Sequence, residues 1–529
     1  MQIVSFARAG YTGEIVKVEA DLRRGIPAID IVGLPDGAVR EARERMRVAI
    51  RNSGLDFPRE RILINLSPAD LKKEGGSFDL PIALGVLAAS EGNVPEGEAI
   101  LVLGELELSG TVRPVRGVLA AVARAQEAGI ADFILPAENL EEARLLGAPA
   151  RGARNLAEAL NAYHEICSIR ALCGSDAETE GSGDADGAKD ISAENNAEEP
   201  RWRSYRLGYE DVRGQERLVR GLQIAAAGGH HLVAWGPPGC GKSLALGRFD
   251  CLLPDMDRKT ALEATRIHSI AGTLEADFSN GSRALLSRPP FRQPHQNASL
   301  EGMIGGGKHC LPGEISLAHG GTLFLDEAAQ FRSGVLQALR TPLETGTVTL
   351  SRAGKNETFP ADFQLLMALN PCPCGHFGES GRVCTCGPEA VDRYWKRLAG
   401  PLLDRMDIRV PLSAPEGESF ADPGRAPDTE SLRREIDRAR RMQRERGAVL
   451  NGKLAPGDIE KLCVLSESAQ ALFGKGMETA RLSGRGGHGV LKVSRTIADM
   501  EGSVLIEEEH LMEAFQFRRW SGLLPDFLS

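Results

Sequence analysis

A glycine-rich segment constrains the fold of this chain more than any other feature of its sequence. It follows the apolar run 231–235 and reads Gly236, Pro237, Pro238, Gly239, Cys240, Gly241, Lys242, Ser243. Between a strand and a helix, such a loop turns its backbone N–H groups around phosphates at the positive end of the helix. In that geometry Lys242 reaches the β- and γ-phosphates and Ser243 holds Mg²⁺. The segment therefore predicts a P-loop domain with a parallel sheet that binds ATP and Mg²⁺.

Two further apolar runs end in polar residues that suit hydrolysis. Residues 322–325 lead into Asp326 and Glu327, and residues 363–369 lead into Asn370. Asp326 would support the Mg²⁺ ion, and Glu327 would polarise the attacking water as a general base. The Asn370 amide would orient that water. A surface acidic pair is the alternative for 326–327, but two carboxylates that end a wholly apolar strand rarely serve solubility.

The length of 529 residues predicts roughly three to four domains. Residues 174–200 carry nine acidic side chains, one lysine and no aromatic residue, so we interpret 171–204 as an acidic disordered linker. It separates an α/β domain, 1–170, from the ATPase domain, 205–412, which a mainly helical domain, 413–529, follows. Most of the net charge of −10 lies in the linker, and the nearly neutral remainder can still carry a basic groove for DNA.

Local patterns predict secondary structure on both sides of the ATPase domain. Residues 15–20 and 62–66 are typical of strands, and residues 38–53 and 118–128 are typical of helices. Residues 431–447 have Arg and Glu at helical spacings and predict a solvated helix, whereas residues 490–500 predict a more apolar one. These patterns indicate a multidomain α/β protein with a helical C-terminal domain.

Hydropathy and cysteine usage bear on the compartment. No apolar run approaches the ~18 residues that span a bilayer, and the first residues lack the pattern of a signal peptide. The ten cysteines are spread thinly apart from one cluster. We therefore expect a cytoplasmic protein with reduced thiols and no membrane partner.

The cysteine cluster has the spacing of a metal site. Cys372, Cys374, Cys384 and Cys386 form the pattern C-x-C-x9-C-x-C. Four thiolates within fifteen residues can close a tetrahedral site, so the pattern predicts bound Zn²⁺. The spacing is tighter than the common C-x2-C pair, and His376 could replace one ligand. Unligated thiols are the alternative, and a disulfide is disfavoured in the cytoplasm.

Several motifs together resemble one branch of the AAA+ ATPases. They are the P-loop and the segments 211–216, 312–319, 342–346 and 370–375. They resemble the ComM/YifB family of magnesium-chelatase-like AAA+ ATPases, and the resemblance covers the chain except the linker. It implies a Lon-protease-like N-terminal domain, an AAA+ core and a helical lid domain. It also implies a homo-hexameric ring and an ATP-driven helicase that branch-migrates DNA when incoming DNA recombines in natural transformation.

The resemblance also implies roles for individual residues. Arg405 becomes an arginine finger for a neighbouring subunit, although an arginine in this acidic turn, taken alone, indicates a local salt bridge. Arg495 resembles the sensor 2 arginine of the lid. Lys308 stands at the apparent tip of the helix-2 insert, and Arg352 and Lys355 stand in the pre-sensor 1 hairpin, where basic side chains suit DNA phosphates. Solvated loops are the alternative for these hairpins.

Three features depart from the family pattern. They are the segment 294–297, the turn 328–330 after the Walker B carboxylates, which reads Ala-Ala-Gln, and the long acidic linker. The first bears on the central hairpin of the ring. None of the three involves the nucleotide ligands named above.

The N-terminal domain contains an altered peptidase motif. Residues 73–77 resemble the nucleophile loop of Lon-type peptidases, with Ser77 in place of the serine. Those enzymes need a lysine base, because a serine hydroxyl is a weak nucleophile without one. The segment 110–121 resembles the partner motif, and Ala121 stands where the lysine would be. We therefore interpret the domain as a non-peptidase Lon fold that serves ring assembly or DNA contact.

Three functions are to be weighed against these sequence features. A DNA translocase or helicase is favoured by the ComM-like architecture and the basic hairpins. A chelatase-type motor that remodels a protein partner is favoured by the shared ATPase core alone. An ATP-dependent protease is disfavoured by Ala121.

Overall fold

The computed structural model describes residues 2–8, 10–92, 98–175, 208–274, 285–307, 310–352, 355–377, 382–398, 400–413, 427–447, 449–480 and 482–518. The predicted linker lies outside the described residues from position 176 onward, and Lys308 lies outside them as well. None of the helices in the described ranges is both long and apolar enough to cross a membrane.

The first part of the chain forms a seven-stranded sheet in the order β3-β4-β2-β1-β5-β8-β9, beside a small β6–β7 hairpin. The strands are β1 (Gln2–Ala7), β2 (Glu14–Arg23), β3 (Ile29–Val32), β4 (Arg61–Ser67), β5 (Ala99–Val102), β6 (Glu105–Leu106), β7 (Val112–Arg113), β8 (Asp132–Pro136) and β9 (Ala150–Ala153). Strand β2 runs antiparallel to both of its neighbours, and the remaining pairs in the sheet are parallel. The predicted strands 15–20 and 62–66 are confirmed.

Among the described residues of this part, five helices cover the sheet. They are α1 (Gly37–Asn52), α2 (Asp79–Ser90), α3 (Val118–Glu127), α4 (Leu140–Arg144) and α5 (Leu156–Ser175). Helix α1 begins where the Asp36 side chain accepts a hydrogen bond from the Val39 N–H, which satisfies one free donor of the first turn. Helix α2 is buried from Asp79 to Ala88 and lies inside the domain, so its sequence is apolar on all sides. The helices predicted at 38–53 and 118–128 are confirmed.

The second part contains a five-stranded sheet in the order β11-β14-β17-β10-β18, with parallel neighbours throughout. Its strands and two hairpins comprise β10 (Leu232–Trp235), β11 (Phe291–Arg292), β12 (Gly305–Gly306), β13 (Leu311–Pro312), β14 (Thr322–Leu325), β15 (Thr347–Arg352), β16 (Lys355–Pro360), β17 (Gln364–Leu369) and β18 (Ile408–Pro411). Strands β10, β14 and β17 are buried on both faces, as expected for the centre of a parallel sheet. Their carboxyl ends share one edge, where ligands of such sheets bind.

Within the ranges of 208–413 that the structure describes, there are nine helices. They are α6 (Glu216–Gly228), α7 (Lys242–Leu246), α8 (Arg258–Ala271), α9 (Leu300–Ile304), α10 (Glu314–Leu317), α11 (Ser333–Ala338), α12 (Arg340–Thr345), α13 (Pro388–Arg397) and α14 (Gly400–Leu403). The hairpin predicted at 348–356 is confirmed: β15 pairs with β16, and Arg352 stands opposite Lys355 at its end.

The C-terminal part is helical and consists of α15 (Thr429–Gly447), α16 (Pro456–Leu462), α17 (Glu467–Thr479), α18 (Gly484–Glu501) and α19 (Glu508–Gln516). The prediction that 431–447 is merely solvated is wrong, because Ile436, Ala439 and Gln443 of α15 are buried. Arg440 donates to the Ala226 carbonyl at the end of α6. The buried positions form a narrow stripe at helical spacing, and the many arginines of the helix obscure this stripe in the sequence. Arginine can pack its aliphatic stem against the protein while its charged end makes hydrogen bonds.

The N-terminal part packs directly on the ATPase part. Helix α3 lies against α8, and the Gly117 N–H donates to the Ser269 hydroxyl over 3.2 Å. The Arg266 guanidinium lies 4.3 Å from the ring centroid of Tyr11, a cation–π contact. Tyr11 also meets Phe359 edge-on at the foot of the β15–β16 hairpin. The first domain is therefore connected through packing to an element that precedes the sensor 1 strand.

Candidate active site

The P-loop closes around its own lysine. Lys242 Nζ donates to the carbonyl oxygens of Gly236 and Pro237 over 2.7 and 2.8 Å. Gly241, with φ of 87°, makes the left-handed turn that starts α7. The Gln215 side chain donates to the Cys240 carbonyl over 2.9 Å and supports the loop from outside. The loop thus holds the Lys242 ammonium group in place. When ATP binds, its phosphate oxygens would replace the two carbonyl oxygens as hydrogen-bond acceptors of this group.

The predicted magnesium ligands lie together. Ser243 Oγ donates to Asp326 Oδ1 over 3.0 Å, although the two residues come from different elements. The same carboxylate oxygen accepts the backbone N–H of Glu327 over 3.0 Å. A hydroxyl and a carboxylate beside a triphosphate-binding loop form the oxygen-rich ligand set that Mg²⁺ prefers.

Glu327 has an unusual backbone. Its φ of 49° lies in the left-handed region, which costs a residue other than glycine about 1–3 kcal/mol and is found mainly at functional sites. Gln330 Nε2 donates to Glu327 Oε2 over 2.7 Å. The departure from the family pattern at 328–330 therefore places an amide donor on the predicted base, a contact that sequence reasoning did not identify.

Asn370 follows β17, the strand between β14 and β10. The Gly236 N–H donates to the Leu369 carbonyl over 3.2 Å, so the P-loop and the end of β17 are directly joined. The Tyr394 hydroxyl makes a hydrogen bond with the Asn370 backbone, and burial raises the pKa of Tyr394, which keeps the phenol neutral. The structure therefore brings Asn370, Asp326 and the P-loop to one edge of the sheet.

Arg405 lies at the opposite edge. By strand register, Ile408 stands beside Leu232, whereas the P-loop follows Trp235. One strand length of about 10 Å or more therefore separates Arg405 from the phosphates of its own chain. Its guanidinium, only 10% exposed, pairs with Glu344. Burial, and then the neighbouring charges of Arg485 and Arg340, lower the pKa of Arg405.

The structure does not bring Arg495 to the predicted lid site. The side chain is 1% exposed, and it donates to Asp499 and to the carbonyl oxygens of Ser503 and Val504. It braces the end of α18 internally, because it stands within the apolar stretch that buries this helix. Arg485, in the first turn of α18, lies 3.5 Å from Glu344 instead. Its place after the Ser483 cap, outside the apolar stretch, is the sequence signal that would have identified it.

A buried polar network holds α18 against the arginine-bearing turn. His230 shares hydrogen bonds with Asp407 at 3.1 Å and with Thr496 at 2.8 Å. Burial alone would raise the pKa of Asp407, but the charge of Lys492 and the hydrogen bond from His230 hold it below its usual value. Asp407 thus stays ionised and fixes the turn that carries Arg405.

The four predicted zinc ligands converge. Their Sγ atoms lie within 4.8 Å of one another, with separations of 3.3 Å for Cys372–Cys374 and 3.6 Å for both Cys372–Cys384 and Cys374–Cys384. A tetrahedron with Zn–S bonds of about 2.3 Å has sulfur edges of about 3.8 Å, so Cys372, Cys374, Cys384 and Cys386 fit Zn²⁺ without a large movement. A hydrogen bond from the His376 backbone lowers the pKa of Cys374 to about 5, whereas burial raises the pKa of Cys386, so binding of Zn²⁺ would displace protons from the thiols that remain neutral.

The Lon-like loop has a different environment. Ser77 lies in the short 3-10 turn Gly76–Phe78, while Ala121 is fully buried in an apolar cluster that also contains Ile270 of α8. Lys73, an amine close to Ser77 in sequence, is fully buried, and its Nζ donates to the Pro68 carbonyl. Burial lowers the pKa of Lys73. The position matching the peptidase lysine therefore lies in an apolar cluster to which the ATPase part of the chain contributes Ile270.

A parallel sheet that joins a P-loop to an acidic pair and a polar sensor residue, followed by a helical domain, defines a P-loop ATPase of the AAA+ class. Family models described as "Magnesium chelatase, subunit ChlI", "Subunit ChlI of Mg-chelatase" and "Magnesium chelatase, subunit ChlI C-terminal" match residues 208–420, 18–139 and 426–518.

Similar proteins agree with this class along the whole chain. Competence protein ComM of Haemophilus influenzae is 37% identical over 529 residues, which cover 99% of this chain and 98% of that protein. YifB of Escherichia coli is 39% identical over 526 residues, which cover 98% and 97%. A Lon protease of Chloroflexus aurantiacus is 30% identical over 135 residues, which cover 24% of this chain and 16% of the protease. The chain belongs to the ComM/YifB family of magnesium-chelatase-like AAA+ ATPases, and this membership implies ATPase activity.

Proposed function

We propose that this protein is an ATP-driven DNA translocase or helicase that acts as a homo-hexameric ring. The hydrogen bond from Ser243 to Asp326 carries the ATPase part of this proposal, because it joins two predicted magnesium ligands across separate elements. Backbone N–H groups of 239–243 and the Lys242 ammonium would bind the phosphates. Glu327 would accept the proton of the attacking water, and Asn370 would orient that water.

The position of the arginines supports the ring. Arg405 and Arg485 gather around Glu344 at the edge opposite the P-loop. An arginine there can stabilise γ-phosphate charge only on a neighbouring copy, and repeated head-to-tail contacts of this kind close into a ring. We propose Arg405 as the finger and Arg485, rather than Arg495, as the lid arginine that accompanies it.

DNA is proposed as the substrate of the motor. The β15–β16 hairpin ends in Arg352 and Lys355, a sequence-independent means of binding phosphates. The name of the Haemophilus relative, a competence protein, supports a role in the recombination of incoming DNA through branch migration in the cytoplasm. The cysteine cluster would hold a structural Zn²⁺ ion.

The test compares ATPase rates without DNA, with single-stranded DNA and with forked DNA. We expect strong stimulation by DNA. ATPase activity that is indifferent to every DNA would favour a motor that remodels a protein partner, and it would contradict the DNA proposal.

Charge removal at the hairpin sharpens this test. Arg352→Ala combined with Lys355→Ala should weaken DNA binding equally across sequences and make the salt slope shallower by about one to two units. The matched control is Arg434→Ala with Lys461→Ala, which removes the same charge from exposed positions of the helical domain. Affinity titrations at several salt concentrations measure the slope. An unchanged slope together with intact unwinding would remove the hairpin from the proposal.

A further inference from the structure

The cysteine cluster touches the nucleotide loop. Gly375, between the second and third cysteines, has φ of 85°, and a Cβ atom on it would lie 2.7 Å from both Cγ and Cδ of Pro238. A side chain at 375 would therefore force the Pro238 ring or the 375 segment to shift. The backbone of the segment that carries Cys372 and Cys374 thus lies against the Pro238 ring of the P-loop.

The cluster also borders the sensor strand through α13. This helix begins at Pro388, directly after Cys386 and Gly387. Its buried Trp395 donates from Nε1 to the Pro371 carbonyl over 3.0 Å, and its Tyr394 hydroxyl bonds to the Asn370 backbone. The four cysteines therefore lie between two segments that contact predicted catalytic elements.

Regular secondary structure does not stabilise this segment. The described residues 371–377 and 382–387 lie outside helices and strands. A bound cation that joins the four sulfur atoms would hold such a loop in one conformation.

We propose that Cys372, Cys374, Cys384 and Cys386 bind one Zn²⁺ ion that clamps Pro238 of the P-loop and Asn370, the residue after β17, together, so that the metal controls ATP turnover. This inference rests on the proposed ATPase function. The metal does not touch the nucleotide; it acts through the contacts of Gly375 with Pro238 and of α13 with Asn370.

Metal content and turnover provide the first test. Freshly purified, reduced full-length protein should contain about one Zn²⁺ per chain. Cys384→Ser with Cys386→Ser should lose the metal and lower kcat by about tenfold or more, the scale of losing support around a site. Cys167→Ser, which changes a half-buried thiol of α5 outside the cluster, is the control and should keep both. Metal-free protein with normal kcat would overturn the proposal.

A spectroscopic test uses wild-type protein and does not depend on the folding of a variant. Co²⁺ substituted into the cluster should show the visible absorption of a tetrahedral thiolate site. Saturating MgATP should shift these bands, because nucleotide moves the P-loop that the cluster touches. Lys242→Ala should keep the bands but lose the shift. Bands that stay constant while ATP demonstrably binds to the wild-type protein would contradict the clamp, whereas failure of wild-type protein to bind ATP would contradict the ATPase proposal instead.

Two substitutions examine the two contacts separately. Gly375→Ala introduces a Cβ atom against Pro238 and should raise KM for MgATP while Zn²⁺ is retained. Tyr394→Phe removes only the hydroxyl at Asn370 and should lower kcat with little change in KM. If both variants keep Zn²⁺ and wild-type kinetics, the contacts do not transmit the effect of the metal and the proposal fails.

Discussion

Two loops of this chain each contain a lysine and a serine, and the surroundings of these side chains differ between the two loops. In the P-loop, Lys242 donates to carbonyl oxygens whose place the phosphates of ATP would take. Ser243 donates to Asp326, which follows a different strand. In the Lon-like loop, Lys73 is buried against its own segment, and Ala121 stands where a base would be. Similar residue types thus produce a site only where the fold supplies the partner groups.

The helix that carries Ala121 packs against the ATPase part of the chain. Ile270 of α8 shares the apolar cluster of Val118 and Ala121, and Ser269 receives the N–H that begins α3. Apolar burial of this kind is favourable at about 25 cal/mol per Å², whereas a charged lysine there would be costly. The helix face that resembles part of a peptidase site therefore serves as a packing surface for the ATPase part of the chain.

The largest expected effect concerns the nucleotide site and tests whether a neighbouring subunit contributes to it. Arg405→Ala should lower ATP turnover by about a thousandfold or more, because a finger stabilises transition-state charge. Mutant subunits should also poison mixed rings, since each lacks the group that its neighbour needs. Mixing series with wild-type protein measure this effect. A decline in strict proportion to dilution would contradict a finger acting between subunits.

Removal of the proposed base tests the nucleotide site within one subunit. Glu327→Gln should bind MgATP normally and hydrolyse it about a hundred- to a thousandfold more slowly, because only water activation is lost. Lys242→Ala should instead weaken nucleotide binding itself. Binding assays and single-turnover rates distinguish the two. Near-normal turnover in Glu327→Gln would mean that another group is the base.

Restoring the missing lysine tests the Lon-like side. Ala121→Lys should lower the free energy of unfolding by several kcal/mol, because an amine enters an apolar cluster without a partner. Burial would lower the pKa of this lysine below its unfolded value of about 10.4, so the loss should be greatest at pH values below the folded-state pKa and smaller as pH rises toward 10. Ala128→Lys, exposed at the end of the same helix, is the control and should be nearly neutral. Equal denaturation midpoints for the two variants would contradict the buried interface.

The smallest expected effect is none. Ser77→Ala should leave ATPase activity unchanged and stability within about 0.5 kcal/mol, since the serine has no base at the matching position. Peptide hydrolysis should be absent from wild-type and variant protein alike. A peptidase activity that this substitution abolishes would show that the Lon-like loop also forms a catalytic site.

Local patterns in the sequence were sufficient for much of the fold. The P-loop, strand 322–325 and the hairpin that pairs Arg352 with Lys355 depend on residues close together in the chain, so periodicity and glycine placement reveal them. The ComM/YifB resemblance rested on the same short motifs. The converging cysteines also followed from their spacing.

Tertiary structure alone decided which distant residues meet. It placed Arg485 rather than Arg495 beside Glu344, covered Ala121 with a cluster containing Ile270, buried one stripe of the charged helix α15 and set Gly375 against Pro238. These contacts join segments separated by tens or hundreds of residues, and their formation depends on the packing of whole domains. A single sequence records the chemistry of each partner but not the geometry that selects between Arg485 and Arg495, because that choice depends on which face of α18 the surrounding core buries.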